Sequence, residues 1–231
     1  MPDSGAPIEV AYEDAHLLVL AKPSGVPTTS PAGEASFTSR AEARFGQKLH
    51  PTSRLDAEVS GLVTFARTKQ GNATLREARR RGEYGRGYLG IARVAPSPEE
   101  GSWSRSIAID PRDRRLRVAV DPGAKGERVQ RAETLYRVHA RAAHGVTLWL
   151  TPRTGRTHQL RVHAADAGAP LLGDVRYGGE RRVVLGDGRV VTARRVMLHC
   201  AWLKLPAVEG PPIELSLPWP ADMERVWGAL G

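Results

Sequence analysis

The chain has 231 residues, of which 41% are hydrophobic, and a formal net charge of +9. A chain of this length can bury a substantial core without disulfides or metals. Its single cysteine, Cys200, excludes an internal disulfide framework and a cysteine-rich zinc site. Because the sequence has neither a signal peptide nor the roughly 18 consecutive apolar residues of a membrane span, we expect a cytoplasmic protein.

Arginine supplies most of the positive charge, since only five of the 34 basic residues are lysine. A guanidinium group can bind phosphates and stack on bases, so this composition favours a polyanionic partner, nucleic acid before membrane. The alternative is a coding bias toward arginine that only solvates the surface. Clustering favours the first interpretation; the clusters are Arg76, Arg79, Arg80, Arg81 and Arg86, then Arg112, Arg114, Arg115 and Arg117, then Arg181 and Arg182, then Arg194 and Arg195.

In chain order, the first half of the sequence predicts short strands separated by two helices. Strands are predicted over 16–21, 61–67, 88–94, 104–109 and 116–120. The helices are predicted over 36–46 and 70–81, and Gly82 is a stop signal for the second.

The second half begins with a hairpin over 135–142 and 146–151. A helix over 158–167 follows, with Thr157 as its predicted cap and Gly168 at its end. A second hairpin, two further strands and a final helix are predicted over 183–191, 196–205, 213–217 and 221–230. This order is typical of an α+β protein with a large, mainly antiparallel mixed sheet flanked by helices and loops.

One carboxylate lies in a short polar turn, residues 53 to 61, before the apolar run 62–66. Asp56 follows Arg54 in this turn, and an aspartate held there by the strand behind it is suited to act as a nucleophile. The alternative is an aspartate that only bonds its own backbone to close the turn.

A second segment, 153–163, is rich in basic residues at the start of the third predicted helix. Helical spacing places Leu160, Ala164 and Ala167 on one inward face and Arg161 in the first turn, close to Arg156 and His158. A helix amino terminus adds N–H groups and positive potential, so this region is suited to an anion, either Asp56 or a phosphate.

Together the two segments resemble the RluA-type family of RNA pseudouridine synthases. The family motifs read His-Arg-Leu-Asp-x-x-Thr-Ser-Gly and Gly-Arg-Thr-His-Gln-(Leu/Ile)-Arg-Val-His. Further matches are the segments 22–26, 86–89, 170–174, 177–178 and 198–199. Two residues depart from the first motif: Ser53 stands at the usual histidine and Val59 at the usual threonine.

The resemblance implies a pseudouridine synthase catalytic domain over 15–231 with a central active-site cleft. It would follow an amino-terminal extension over 1–14, without an RNA-binding domain of the S4 type. The implied reaction converts a uridine within RNA to pseudouridine, and it needs neither a metal nor an organic cofactor.

The resemblance also implies roles for individual residues. Asp56 would be the nucleophile, attacking either C1' of the ribose or C6 of the base, and Arg161 would pair with its carboxylate. Tyr88 would stack on the uracil and is a candidate for the proton transfer at C5. Arg54 would fill the space left by a flipped base. The remaining candidates for substrate binding are Arg156, His158, Leu171 and Leu172.

The implied partner is ribosomal or transfer RNA, and the sequence does not rank these. We expect no membrane association, no obligate protein partner and a monomeric protein. A metal site is not expected either, because His158 and His163 are five residues apart rather than the four of a metal-binding helix face. For each of His158, His163 and His199, a structural role is more typical than a role as metal ligand.

Two other functions compete with this interpretation. One is an RNA-binding protein that keeps the scaffold but has lost activity, for which the departures at Ser53 and Val59 are the only support. The other is a nucleoside or glycoside hydrolase. Such hydrolases generally use two carboxylates, and Glu58 is the nearest candidate for a partner of Asp56.

Overall fold

The computed structural model describes residues 7–31, 34–126 and 128–231. The chain divides into two compact units. Unit 1 contains the described residues up to Arg86 together with His199–Pro218, and unit 2 contains Gly87–Leu198 together with Trp219–Gly231. In the part of the chain that the structure describes, no helix is long and apolar enough to cross a bilayer.

Four helices and fourteen strands make up the regular structure of the described residues. The helices are α1 (Phe37–Phe45), α2 (Lys69–Arg81), α3 (Gln159–Asp166) and α4 (Ala221–Ala229). The strands are β1 (Glu9–Glu13), β2 (Leu17–Lys22), β3 (His50–Pro51), β4 (Ser60–Ala66), β5 (Gly85–Ala92), β6 (Glu100–Trp103), β7 (Ser106–Ile109), β8 (Arg117–Val120), β9 (Thr134–Ala142), β10 (Gly145–Pro152), β11 (Arg182–Val184), β12 (Val190–Thr192), β13 (Leu198–Leu205) and β14 (Ile213–Ser216).

Unit 1 contains a mixed sheet in which β4 is central. The strand order is β1-β2-β4-β13, with β3 beside β4 and β14 beside β13. All of these pairs are antiparallel except β4 and β13, which run parallel with His199 opposite Ser60. A Cβ atom on Gly61 would lie 2.4 Å from the backbone nitrogen of Cys200, and Gly61 has a φ of +122°. Only glycine allows this close approach, which fixes the start of β4.

Unit 2 contains an antiparallel sheet of order β5-β10-β9-β6, and β7–β8 and β11–β12 form two separate hairpins. Its main core is a cluster of buried apolar side chains around Ile91, Leu172, Met197, Met223 and Leu230. Helix α4 contributes Met223 to this core, so the carboxy-terminal helix covers the same cluster as the β11–β12 hairpin.

The predicted α+β class with a large mixed sheet is confirmed, as are the four predicted helices and both predicted hairpins. Helix α1 shows why its bounds could be predicted: Ser36 forms a capping box with Ser39, and Gly46 ends the helix with a φ of 64°. Three short strands were not indicated by the sequence. They are β1, β3 and β6, and their residues are largely exposed or half-buried, so the sequence shows no regular apolar alternation there.

One prediction for helix α3 is wrong. The helix begins at Gln159, after His158 in a left-handed conformation with a φ of 57°, and no side chain caps it, so Thr157 is not the cap. Six of the eight residues of this helix, Gln159 to Ala164, are buried. The helix contacts β8, β9 and β10, which cover it on several sides.

Hydrogen bonds among buried polar groups hold α3 in place. The side-chain nitrogen Nε2 of Gln159 donates to the carbonyl of Glu133 and to the hydroxyl of Thr134. The two ring nitrogens of His163 lie 2.9 Å from that hydroxyl and 2.9 Å from the carbonyl oxygen of Arg105. Because the carbonyl can only accept, Nε2 of a neutral His163 carries the proton and Nδ1 accepts from Thr134. The expected structural role of His163 is therefore confirmed.

The burial of His163 leads to a prediction about pH. Burial lowers the pKa of its imidazole, although the Arg105 carbonyl and the nearby Asp166 act in the opposite direction. Because the pKa of His163 is lower in the folded state, the unfolded chain binds more protons below the ordinary histidine pKa. The contribution of neutral His163 to stability is therefore complete above that pKa and is lost as the pH falls below it. We expect the free energy of unfolding, measured in urea, to fall between pH 7 and pH 5.

The variant His163→Gln should show a weaker dependence on pH over this range. The exposed His139 offers a matched control, and His139→Gln should retain the wild-type dependence. Equal slopes for the wild type and His163→Gln would contradict the prediction.

Candidate active site

Asp56 lies in the turn between β3 and β4, four residues before the strand begins. Its side chain is half-buried, and its backbone carbonyl accepts a hydrogen bond of 3.1 Å from the amide of Val59. Asp56 is therefore accessible to solvent, while a backbone hydrogen bond within the turn fixes its main chain. All seven residues of β4 are buried, which gives the turn a rigid base.

The residues on both sides of Asp56 are held by the segment that follows β2. The Thr28 hydroxyl accepts from the amide of Leu55 at 2.9 Å and donates to the carbonyl of the same residue at 2.8 Å. On the other side, the carbonyl of Ala57 accepts from the Gly25 amide at 2.7 Å and from the Lys22 ammonium at 3.3 Å. The turn is thus fixed at the residue before Asp56 and at the residue after it.

Lys22 is almost fully buried, with 1% of its surface exposed. Its ammonium group also donates to the carbonyls of Pro23 and Val26, at 2.8 and 2.7 Å. A buried ammonium requires such acceptors, and the three carbonyls tie the loop after β2 to the Asp56 turn.

The two departures from the family motif have structural roles in unit 1. The hydroxyl of Ser53 accepts a hydrogen bond of 2.9 Å from the amide of Thr64 in β4. Val59 is 3% exposed and closes the turn at its far end. Both residues therefore support the turn. Arg54, which follows Ser53, is exposed to solvent.

Two tyrosines lie close together in the sequence, and they have different surroundings. The hydroxyl of Tyr84 is 2.8 Å from that of Thr64, and the guanidinium carbon of Arg79 lies 4.3 Å from the centre of its ring, all within unit 1. Tyr84 thus has a structural role. Tyr88 lies in β5 in unit 2, opposite Leu150 of β10, and is 5% exposed.

Leu171 and Leu172 are each 1% exposed and lie beside β5. Leu171 forms a bridge with Ala92, and its side chain would be 2.8 Å from a Cβ atom on Gly90. The amide of Leu172 donates to the carbonyl of Ile91, and its side chain belongs to the main core of unit 2. Their predicted contact with substrate stays a prediction.

Arg161 forms a buried ion pair with Asp174. Its Nε and Nη2 atoms donate to the two carboxylate oxygens at 2.8 and 2.7 Å, and the two side chains are 2% and 1% exposed. A bidentate pair of this kind fixes the plane of the guanidinium group. The ring of Tyr177 supports the same group, because the guanidinium carbon lies 5.0 Å from its centre.

Tyr177 also joins His158 to this arrangement. Its hydroxyl accepts from the amide of Arg117 at 3.0 Å and lies 2.6 Å from Nδ1 of His158. Arg156, two residues before His158, donates from Nε to the carbonyl of Arg131 at 3.0 Å. The structure therefore joins His158 and Arg161 through Tyr177, whereas the Arg156 side chain donates to a backbone carbonyl.

Sequence reasoning missed Asp174 and Tyr177 as neighbours of Arg161, and Thr28 as a neighbour of the Asp56 turn. Asp174 follows the run Leu171–Gly173, and a buried carboxylate in such an apolar run would require a cationic partner, which was an available signal. Among the residues that the structure describes, no three His, Cys, Asp or Glu side chains come together as possible metal ligands.

The chain matches the family model for RNA pseudouridylate synthase over residues 16–166. It is 33% identical to ribosomal large subunit pseudouridine synthase D of Xanthomonas campestris pv. campestris, over 97% of this chain and 70% of the relative. It is also 33% identical to an uncharacterized RNA pseudouridine synthase of Zymomonas mobilis, over 91% of this chain and 93% of that one.

The fold is similar to that of human RNA pseudouridylate synthase domain containing 4. The TM-score is 0.75 at 25% sequence identity, and the match covers 96% of this chain and 92% of the human chain. The family model alone covers most of the sequence, including the Asp56 turn and the start of α3. The chain therefore belongs to the RluA-type family of RNA pseudouridine synthases, isomerases that convert uridine in RNA to pseudouridine.

Proposed function

We propose that this enzyme modifies specific uridines in ribosomal or transfer RNA, with Asp56 as its nucleophile. The observation that carries the proposal is the Asp56 turn, in which a half-buried carboxylate is fixed by hydrogen bonds to both neighbouring residues. A fixed nucleophile avoids the entropic cost of reaching its reactive geometry. The similarity to a ribosomal large subunit synthase favours ribosomal RNA among the candidate substrates.

The proposed reaction breaks the bond between N1 of the base and C1' of the ribose and forms a new bond from C5 to C1'. Asp56 attacks C1' or C6 and is released when the base has been reattached. The proton on C5 is lost to solvent and N1, now free of the ribose, takes up a proton, so the product is an isomer of uridine. Tyr88, an aromatic ring with a polar hydroxyl, stacks on the uracil and assists the proton transfer at C5. No metal or organic cofactor enters these steps.

Arg161 is proposed to pair with the Asp56 carboxylate during the reaction, because opposite charges attract. Support comes from the surroundings of Arg161, whose guanidinium plane is already fixed by Asp174 and Tyr177. Arg156 and His158 are proposed to bind phosphate groups of the substrate, and Leu171 and Leu172 to form an apolar wall for the base.

Base flipping accompanies this reaction in the proposal, because a stacked uridine does not expose C1' or C6 to a nucleophile. Arg54 is exposed and lies two residues from Asp56, so its planar guanidinium can occupy the space that the flipped base leaves. Flipping costs a few kcal/mol in paired RNA and less where the base is already unpaired.

This role of Arg54 gives a prediction. Arg54→Ala should lower kcat/KM about tenfold to a hundredfold on a structured RNA, the equivalent of about 1.4 to 2.7 kcal/mol, and much less on a short flexible oligonucleotide. Pseudouridine formation on both substrates measures the difference. The exposed Arg76 of α2 is a matched control, and Arg76→Ala should affect both substrates equally and weakly. Equal losses on the two substrates for Arg54→Ala would contradict the flipping role.

The two competing functions differ from this proposal in their products. A binding protein without activity would leave uridine unchanged, and a hydrolase would release free uracil. We further propose that residues 15–231 act as one catalytic domain and that the enzyme is a monomer, which sedimentation of the purified protein would test.

The proposal is tested by incubating the purified protein with unmodified ribosomal RNA and with transfer RNA. Pseudouridine is then mapped by chemical labelling and primer extension. We expect modification of a small number of defined uridines. Absence of pseudouridine from both RNA pools would contradict the proposed function.

A further inference from the structure

The loop after β2 and the Asp56 turn meet at one hydroxyl group, that of Thr28. The Thr28 side chain is 2% exposed, and its hydroxyl makes both of its hydrogen bonds to the backbone of Leu55, the residue before Asp56. A hydroxyl can donate one hydrogen bond and accept others, so this single group satisfies the amide and the carbonyl of Leu55 together. Leu55 is 7% exposed, which leaves these backbone groups little access to water.

Thr28 is itself fixed to helix α1. Its backbone carbonyl accepts from the amide of Thr38 at 3.0 Å and from the hydroxyl of Thr38 at 2.7 Å, in the first turn of the helix. The preceding carbonyl, that of Pro27, accepts from the amide of Phe37 at 2.8 Å. Phe37 is fully buried and anchors the start of α1 in the core. A series of hydrogen bonds thus connects α1, through Thr28, to Leu55, the residue before Asp56.

We propose that Thr28 is a positioning residue for the reaction: its hydroxyl holds Leu55, and thereby sets the position of the Asp56 carboxylate. This inference rests on the proposed role of Asp56 as nucleophile. Thr28 does not touch the substrate in this account. Its hydroxyl acts through one backbone residue, and valine, which has the same shape, cannot replace it.

The expected effect falls on kcat. Thr28→Val leaves the amide and the carbonyl of Leu55 without the hydroxyl that satisfies both, so the turn shifts to find other partners. A displacement of about 1 Å of a reacting group can cost about a hundredfold in rate. We expect Thr28→Val to lower kcat about tenfold to a hundredfold and to change KM less than about threefold, because substrate contacts are not removed.

Two variants separate positioning from a general loss of stability. Thr28→Ser keeps the hydroxyl and should retain kcat within about threefold of the wild type. Thr64→Val removes a hydroxyl that is also fully buried and hydrogen-bonded, but to Tyr84 rather than to the Asp56 turn. It should lower the free energy of unfolding by a similar amount and leave kcat near the wild-type value.

The experiment measures kcat and KM of the full chain under steady-state conditions, together with single-turnover rates at enzyme in excess over RNA, at a temperature where circular dichroism shows every variant folded. Loss of rate in Thr28→Val, with rescue by Thr28→Ser and no loss in Thr64→Val, is the expected result. A wild-type rate for Thr28→Val would overturn the inference, as would an equal loss in Thr28→Ser or in Thr64→Val. Asp56→Asn is measured beside them: if it is inactive while Thr28→Val is fully active, the inference fails and the proposed function stands.

Discussion

Asp56→Asn should abolish turnover and leave RNA binding nearly intact. Asparagine has the size of aspartate but no ionised oxygen to form the covalent intermediate, so we expect a loss of about 10⁴-fold or more in kcat. RNA affinity depends mainly on contacts with phosphates, which this change does not touch. Pseudouridine formation and filter binding on the same RNA measure the two quantities.

Glu58 provides the matched control because it lies in the same turn, is also half-buried, and carries the same charge. Glu58→Gln should keep turnover close to the wild-type value. A comparable loss in both variants would indicate a pair of catalytic carboxylates and would favour the hydrolase alternative. Wild-type turnover in Asp56→Asn would remove Asp56 from the mechanism.

Asp174→Ala should be among the most destabilising single changes in the chain. It leaves the Arg161 guanidinium, which is 2% exposed, without the carboxylate that accepts two of its hydrogen bonds. Breaking a buried ion pair from one side costs about 3–5 kcal/mol, whereas an ion pair at the surface contributes about 1 kcal/mol or less. The urea dependence of unfolding measures this cost.

Arg195 and Asp222 form a second bidentate pair in the same unit, with side chains that are 9% and 39% exposed. Asp222→Ala should cost clearly less than Asp174→Ala, because solvent reaches the vacated site. A cost for Asp174→Ala as small as that for Asp222→Ala would contradict the account of the buried pair.

A double variant separates the two roles of Arg161. Replacing a buried ion pair by apolar residues of similar volume is often neutral or stabilising. Arg161→Met combined with Asp174→Leu should therefore recover most of the stability lost in Asp174→Ala. It should remain inactive, because the positive charge proposed to act on Asp56 is gone. An active double variant would show that Arg161 has only a structural role.

The sequence predicted those parts of the fold whose signals are local. Helices α1 and α2 both begin at a hydroxyl side chain and end at a left-handed glycine, and both hairpins have glycine or polar residues between apolar runs. The Asp56 turn and the segment around Arg161 could be found for a similar reason, since each is a short contiguous motif.

The contacts that hold these two segments join residues that are distant in the sequence. Thr28 and Leu55 are 27 residues apart, and Arg161 and Asp174 are 13 apart. No periodicity marks such pairs, because hydrogen bonds between loops depend on tertiary packing rather than on local propensity. The burial of six of the eight residues of α3 could not be predicted for the same reason, because the partners of its polar residues come from distant parts of the sequence.

The most direct test uses an RNA transcript whose uridines carry tritium at C5. Isomerisation replaces this hydrogen by the bond to C1', so the wild-type enzyme should release tritium to water in proportion to the pseudouridine formed, without free uracil, and Asp56→Asn should release none. Release of free uracil by the wild type, or tritium release that survives the loss of the Asp56 carboxylate, would contradict the account.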